Sequence, residues 1–145
     1  MSDNEQRLSW NQQIIAEFRA NGGHSAQFPD TDLVLLHHTG AKSGTGYISP
    51  LAGFAQPDGG WAIMASNGGR DNNPAWFHNL QANPSTVLEV PGDGGVRTVK
   101  VTARVAESDE RDRLFVEVTT ASPRFAGYQE STSRQIPIVV LELAS

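Results

Sequence analysis

Residues 65–84 read Ala65-Ser66-Asn67-Gly68-Gly69-Arg70-Asp71-Asn72-Asn73-Pro74-Ala75-Trp76-Phe77-His78-Asn79-Leu80-Gln81-Ala82-Asn83-Pro84. The stretch predicts a strand that ends in a glycine turn and opens a short helix. Gly68-Gly69 lets backbone amides turn toward a ligand with no Cβ in the way. Asn73 has the chemistry of an N-cap and Pro74 suits the first helical position, where no N–H is needed. A helix start carries unpaired N–H groups and partial positive charge, so it can hold an anion or a ring carbonyl. The same pattern also suits a plain strand–turn–helix joint whose Trp76 and Leu80 pack on the core.

Outward from this joint the chain alternates short strands with glycine turns. Leu33 to Thr39 is branched and apolar and reads as a buried strand. Tyr47 to Phe54 is a second strand, with Pro50 marking an edge or a bulge. Asp58-Gly59-Gly60 turns the chain into a strand over Trp61 to Ala65. Thr86 to Val90 follows the helix at 74–81, and Asp93-Gly94-Gly95 leads into an alternating strand with Val99, Val101, Ala103 and Val105 on one face. Ile136 to Leu143 closes the set. Helical spacing of Leu8, Ile14, Ile15 and Phe18, with Trp10, predicts an amphipathic helix over 5–20, stopped by Asn21-Gly22-Gly23. Phe28 and Pro29 fall in a connecting loop. Ser108 caps a helix with Asp109 and Glu110 in its first turn and Leu114, Phe115 and Val118 on its buried face. Residues 123–134 read as a loop or broken helix. Many strands and three helices point to a small α+β barrel.

The chain has 145 residues, 38% hydrophobic and 19% charged, which predicts one globular domain over 1–145. With 16 acidic and 11 basic residues the net charge is −5. No basic excess or run exists to displace counterions, which argues against nucleic acid as a partner. Cysteine is absent, and with it any disulfide frame, thiolate nucleophile or cysteine-bound metal. A polar N-terminus and the lack of a spanning apolar run predict no transmembrane segment and a cytoplasmic protein.

Gly40-Ala41-Lys42-Ser43 invites a P-loop reading that fails, because no glycine precedes the lysine and Tyr47-Ile48-Ser49-Pro50 is strand-like. What survives is a lysine, two hydroxyls (Ser43, Thr45) and mobile amides able to grip a phosphate or carboxylate, or else a tight hairpin with an exposed lysine. His37 and His38 are adjacent, face opposite sides of a strand and cannot chelate one ion together, so no metal site is expected. No Gly-x-Ser-x-Gly elbow occurs. Tyr128 has Gly127, Gln129 and Glu130 as neighbours and Phe125 three residues before it, a pattern that suits a flexible lid with an aromatic underside.

Taken in order, Thr39-Gly40-Ala41-Lys42-Ser43-Gly44, Pro50-Leu51, Ala65 to Gly69, Asn73 to Leu80 with Ala82-Asn83-Pro84, Tyr128-Gln129 and Ile136 to Val140 resemble the deazaflavin-dependent nitroreductase family, also called the coenzyme F420-dependent quinone reductase family. The likeness runs from the first helix to the last strand. It implies a split β-barrel like that of the pyridoxamine-phosphate-oxidase-type flavoproteins, with six to seven mostly antiparallel strands, an N-terminal helix and two further helices. It also implies coenzyme F420, an 8-hydroxy-5-deazaflavin with a phosphate and an oligoglutamate tail. The cofactor contacts of the family fall on Ala41, Lys42 and Ser43, and on Tyr47, Ile48, Ser49, Pro50, Leu51 and Ala52. Others fall on Met64, Ala65, Ser66 and Asn67, on Ala75, Trp76, Phe77, His78 and Asn79, and on Tyr128.

By that resemblance the Lys42 turn holds the anionic end, Ser66 and the Ala65–Asn67 backbone hold the ring, and Trp76 walls the pocket. Tyr128 caps a small-molecule electron acceptor and relays a proton, so Ser66 and Tyr128 are the catalytic candidates. The expected activity is hydride transfer from the reduced deazaflavin to a quinone, enone or nitroaromatic, in a monomer or homodimer. Ala41, and Gly46-Tyr47, stand where relatives carry basic residues, leaving Lys42 and Arg70 as cations. Ala52 and Phe125 replace phenols found in some relatives. These departures keep open FMN or haem as the cofactor, and a carrier that binds F420 without catalysis.

Overall fold

The computed structural model describes residues 3–25, 32–92 and 94–144, with the side chains of the first helix from Trp10 onward. Phe28, Pro29 and Asp93 lie outside the described residues, as does the side chain of Leu8. Helix α1 spans Asp3–Ala20 and ends at Gly22 and Gly23, both in the left-handed region at φ 66° and 103°. The strands are β1 (Leu33–Thr39), β2 (Gly46–Ala52), β3 (Phe54–Ala55), β4 (Trp61–Met64), β5 (Ser85–Gly92), β6 (Gly95–Val105) and β7 (Ile138–Leu143). They form one seven-stranded sheet in the order β2-β1-β5-β6-β7-β4-β3, and every pairing is antiparallel. Pro50 sits in the outermost strand, opposite Leu35, where a missing N–H costs little.

The sheet curls until β2 touches β4, and strand alternation sorts its side chains into two layers. Inward go Val34, Leu36, Ile63, Leu88, Val101, Val139 and Leu141. Helix α2 (Ala75–Ala82) plugs this hollow with Trp76, Phe77 and Leu80. Outward, Leu33 and Leu35 meet Ile14 and Phe18 of α1. Ala62, Met64, Ile138 and Val140 meet Leu114 and Val118 of α3 (Ser108–Ala121) and Phe125 of α4 (Arg124–Glu130).

Three expectations need correction. Residues 124–130 form a regular helix, making four α-helices rather than three; Pro123 caps it and Gly127 does not break it. Pro74, not Asn73, caps α2, because the Asn73 carboxamide is taken by a distant arginine instead. Glu107 occupies the cap position of α3, and Ser108 is its first residue at φ 53°.

On the α1 side, Arg19 donates through Nε and Nη2 to the two Glu89 carboxylate oxygens at 2.9 and 2.7 Å, and His37 Nε2 lies 2.8 Å from Glu89 Oε2. The Arg19 hydrogen bonds hold the Glu89 carboxyl below its usual range, against the effect of burial, with His37 assisting. A lowered folded pKa contributes stability that is complete above the ordinary carboxylate value and is lost as pH falls through the lowered one. Glu89→Gln should therefore cost about 1–2 kcal/mol at pH 7, since Glu89 is buried while Arg19 is half-exposed. The difference should shrink towards pH 3; thermal melts of both proteins across this range check it, and parallel acid profiles would remove the pair from the stability balance.

A continuous trough between two turns

The first turn joins β1 to β2. Gly40 N–H donates to Thr45 O at 2.8 Å and Gly44 N–H to Gly40 O at 3.0 Å, while Ser43 Oγ accepts from Thr45 N–H at 3.2 Å. A strand follows the turn rather than a helix, so no P-loop forms here. The turn is pinned to α2, since Ala41 N–H donates to Asn79 Oδ1 at 3.0 Å. Asn79 Nδ2 lies 2.9 Å from His38 Nδ1, and His38 Nε2 lies 2.8 Å from Ser49 Oγ on β2. The His38 ring stacks on Tyr47 with centroids 5.5 Å apart, and burial, with a smaller effect of neighbouring His37, pushes its pKa down. The two adjacent histidines thus face opposite sides, His37 to Glu89 and His38 inward.

The second turn follows β4. Asn67, Gly68 and Gly69 are all left-handed, at φ 48°, 65° and 84°. Arg134 holds this turn with its whole guanidinium. Nε donates to Arg70 O at 2.9 Å and Nη1 to Asn73 Oδ1 at 2.6 Å. Nη2 reaches Ala65 O and Ser66 O at 3.2 Å and Asn72 O at 3.1 Å. A Cβ at Gly69 would run into Ser131 Oγ and come within 3.2 Å of the Tyr128 backbone, so α4 lies directly on the turn. A Cβ at Gly68 would meet nothing within 4 Å, and this open residue borders a cleft.

Three clefts run into one another between these turns. The first, about 530 Å³, is bordered by Ala41, Lys42, Ser43, Tyr47, His78 and Asn79. Through His38 and Ala75 it adjoins a second of about 640 Å³, lined by Ser49, Pro50, Leu51, Met64, Ser66, Asn67 and Trp76, with Arg70 at its edge. The third, about 220 Å³, shares Pro50, Leu51, Met64, Ser66 and Gly68 and adds Ala52, Arg124, Phe125 and Tyr128. Sixteen of the nineteen expected contact residues therefore border one trough. Ile48 instead packs beneath α1, and Phe77 faces a separate apolar groove with Leu80 and Val139. Ala65 is fully buried, its N–H given to Pro137 O and its carbonyl to Arg134.

Several site residues carry little signal in the sequence. Its spacing shows His38 only as a residue unable to share an ion with His37, and its inward direction follows from its place on the same face of β1 as Val34 and Leu36. Arg134 carried no signal, because its partners lie more than 60 positions away. The α4 segment is also more firmly held than a flexible lid. Gln129 Oε1 accepts from Arg111 Nη2 at 3.1 Å and from Ile136 N–H at 2.9 Å, and Ser131 Oγ donates to Gly69 O at 2.9 Å.

Comparison with known proteins gives a consistent result. A family model described as F420H(2)-dependent quinone reductase matches residues 10–143. The F420H(2)-dependent quinone reductase Rv1261c of Mycobacterium tuberculosis is 38% identical over 111 residues, covering 74% of this chain and 71% of its own length. A solved F420-H2 dependent reductase, FDR-A, is 36% identical with a TM-score of 0.65, over 76% of this chain and 93% of that one. Another solved chain, described as a domain-swapped dimer, is 32% identical with a TM-score of 0.66, over 97% of this chain and all of that one. The haem storage protein HutZ of Vibrio cholerae, 14% identical over 93% of this chain and 91% of that one with a TM-score of 0.60, shares the split-barrel fold alone.

Proposed function

The chain belongs to the F420H(2)-dependent quinone reductase family, and on that premise we propose that its trough carries a hydride from reduced coenzyme F420 to a quinone, or to another electron-poor acceptor such as an enone or nitroaromatic. It is an F420-dependent oxidoreductase, and coenzyme F420 is its cofactor. The observation that carries the reading is the continuity of the trough from the Lys42 turn to Tyr128. An elongated ligand with an anionic tail and a flat ring fits such a channel, with a cation at the tail end and an open, Cβ-free turn beside the ring.

When bound in reduced form, the deazaflavin supplies the hydride. The protein does the rest. Lys42 and Ser43 would hold the phosphate and tail. Ser66, Asn67, Met64 and Trp76 surround the ring and keep water from it. Ala52, Phe125 and Tyr128 bound the acceptor, and Tyr128 offers a proton to the oxygen that gains charge. The relative described as a domain-swapped dimer supports a homodimer. No described helix is long and apolar enough to cross a membrane.

Titrating the protein with coenzyme F420 and with FMN, then following oxidation of the reduced deazaflavin with a panel of quinones, tests the reading. Binding of F420 with quinone-dependent turnover is expected. Binding without turnover on any acceptor would make the chain a carrier, and preference for FMN would overturn the cofactor assignment for this trough. Lys42→Ala should weaken F420 several-fold at low salt and less at high salt, because an exposed charge contact is screened. Equal affinity of variant and wild type at low salt would remove Lys42 from the site.

A further inference from the structure

We propose that His38 is a positioning residue, which ties the Lys42 turn through Asn79 to strand β2 and thereby sets the spacing between the tail-holding and ring-holding parts of the trough. The proposal rests on the coenzyme F420 reading above. Its basis is the direction of three consecutive hydrogen bonds. A backbone N–H can only donate, so the Asn79 atom facing Ala41 N–H at 3.0 Å must be its carbonyl oxygen. The Asn79 amide nitrogen then faces His38 Nδ1 at 2.9 Å and must donate to it. His38 Nδ1 is therefore without a proton, the ring proton is on Nε2, and it is donated to Ser49 Oγ at 2.8 Å. Ser49 accepts from inside and keeps its own O–H to donate to whatever occupies the cleft it borders.

This relay joins three separate elements: the turn after β1, helix α2 and strand β2. His38 lies where the first and second clefts meet, is 6% exposed, and has its ring plane set by Tyr47. Its burial and the neighbouring His37 favour the neutral ring that the relay requires. An apolar residue of similar size would fill the space but leave the buried Asn79 amide without an acceptor and the Ala41 anchor loose.

The two amide side chains separate the two halves of the ring. Asparagine places a carbonyl near the Nδ1 position and can keep the bond to Asn79. Glutamine reaches the Nε2 position and can keep Ser49 while abandoning Asn79. Dissociation constants for coenzyme F420, and for its riboside lacking phosphate and tail, are measured on wild type, His38→Asn and His38→Gln. Because the tie needs both bonds, loss of either should weaken coenzyme F420 by roughly three- to tenfold, in His38→Gln and in His38→Asn alike. The riboside should change much less in both variants. Equal losses on both ligands, or a variant of either kind that binds coenzyme F420 like wild type, would overturn the proposal. A measurement on the wild type guards against variants that fail to fold: nitrogen NMR of the imidazole at pH 7.5 should report the neutral Nε2–H tautomer, and the Nδ1–H tautomer would refute the relay. If the wild type binds no coenzyme F420, the functional reading fails while the tautomer still tests the relay.

Discussion

Arg134→Ala should abolish useful binding of coenzyme F420, with an affinity loss on the order of a hundredfold, and should lower the melting temperature. One guanidinium satisfies four backbone carbonyls and a carboxamide between Ala65 and Asn73. The segment it holds includes three successive left-handed residues, of which Asn67 alone has a Cβ to oppose that conformation and so needs neighbours to impose it. Hydrogen bonds to a charged donor contribute about 1.5–3 kcal/mol each when desolvated. Arg134 is half-buried and its bonds share one group, so their sum is far below additive; a total on the order of 3 kcal/mol is reasonable. Converted to affinity, that is about two decades for a ligand that needs the turn in place. Arg134→Lys should recover only part of the loss, because an ammonium cannot fork across Arg70 O and Asn73 Oδ1 while also reaching Ala65 O. Titration calorimetry, with amide exchange over residues 66–73, separates a loosened turn from a lost ligand contact. Wild-type affinity in the alanine variant would mean that the glycine turn holds itself.

What the sequence disclosed depended on the range of the interaction. The strands β1, β4 and β7 are legible as short apolar runs and β6 as an alternating one, and both signals are local: Val34 and Leu36 face away from Leu33 and Leu35 wherever the strand ends up. Pro50 likewise announced an edge strand. Helix α4 was obscured by Gly127 and the Ser131-Thr132-Ser133 run, which locally favour a loop. Its helical state comes from distant partners, Phe54 meeting Phe125 edge-on at 5.9 Å and Arg111 anchoring Gln129. The N-cap at Asn73 was a sound local inference overruled by a contact 61 positions away. In the site, motif residues could be named one by one, but the connection between them could not: the trough exists because β2 curls round to β4, and that closure has no local signature.

Tyr128→Phe should retain the fold and the F420 affinity while lowering quinone turnover by about tenfold or more. The ring of Tyr128 is half-buried, edge-on to Phe125 at 5.4 Å, and it packs beside the outer core as well as bordering the third cleft of the trough. Packing and chemistry therefore both have a claim on it, and the phenol oxygen is what divides them. Removing that oxygen leaves the aromatic contact with Phe125 intact, so a residue that only packs would give a variant with normal turnover. A quinone that receives a hydride gains negative charge on oxygen, and a donor already in position stabilises that charge without reorganisation. The helix carrying Tyr128 is held by Gln129 to Ile136 and by Ser131 to Gly69, so the donor is tied to the same turn that flanks the ring site. Loss of one such donor or acid corresponds to about 100-fold or more in turnover where it is fully engaged, and to less for a half-exposed phenol that solvent can partly replace. Tyr128→Ala should add a raised KM for the acceptor through lost stacking area, together with a lower melting temperature. Steady-state kinetics with one quinone, and thermal melts on both variants, decide the matter, and unchanged kcat in Tyr128→Phe would leave proton delivery to solvent.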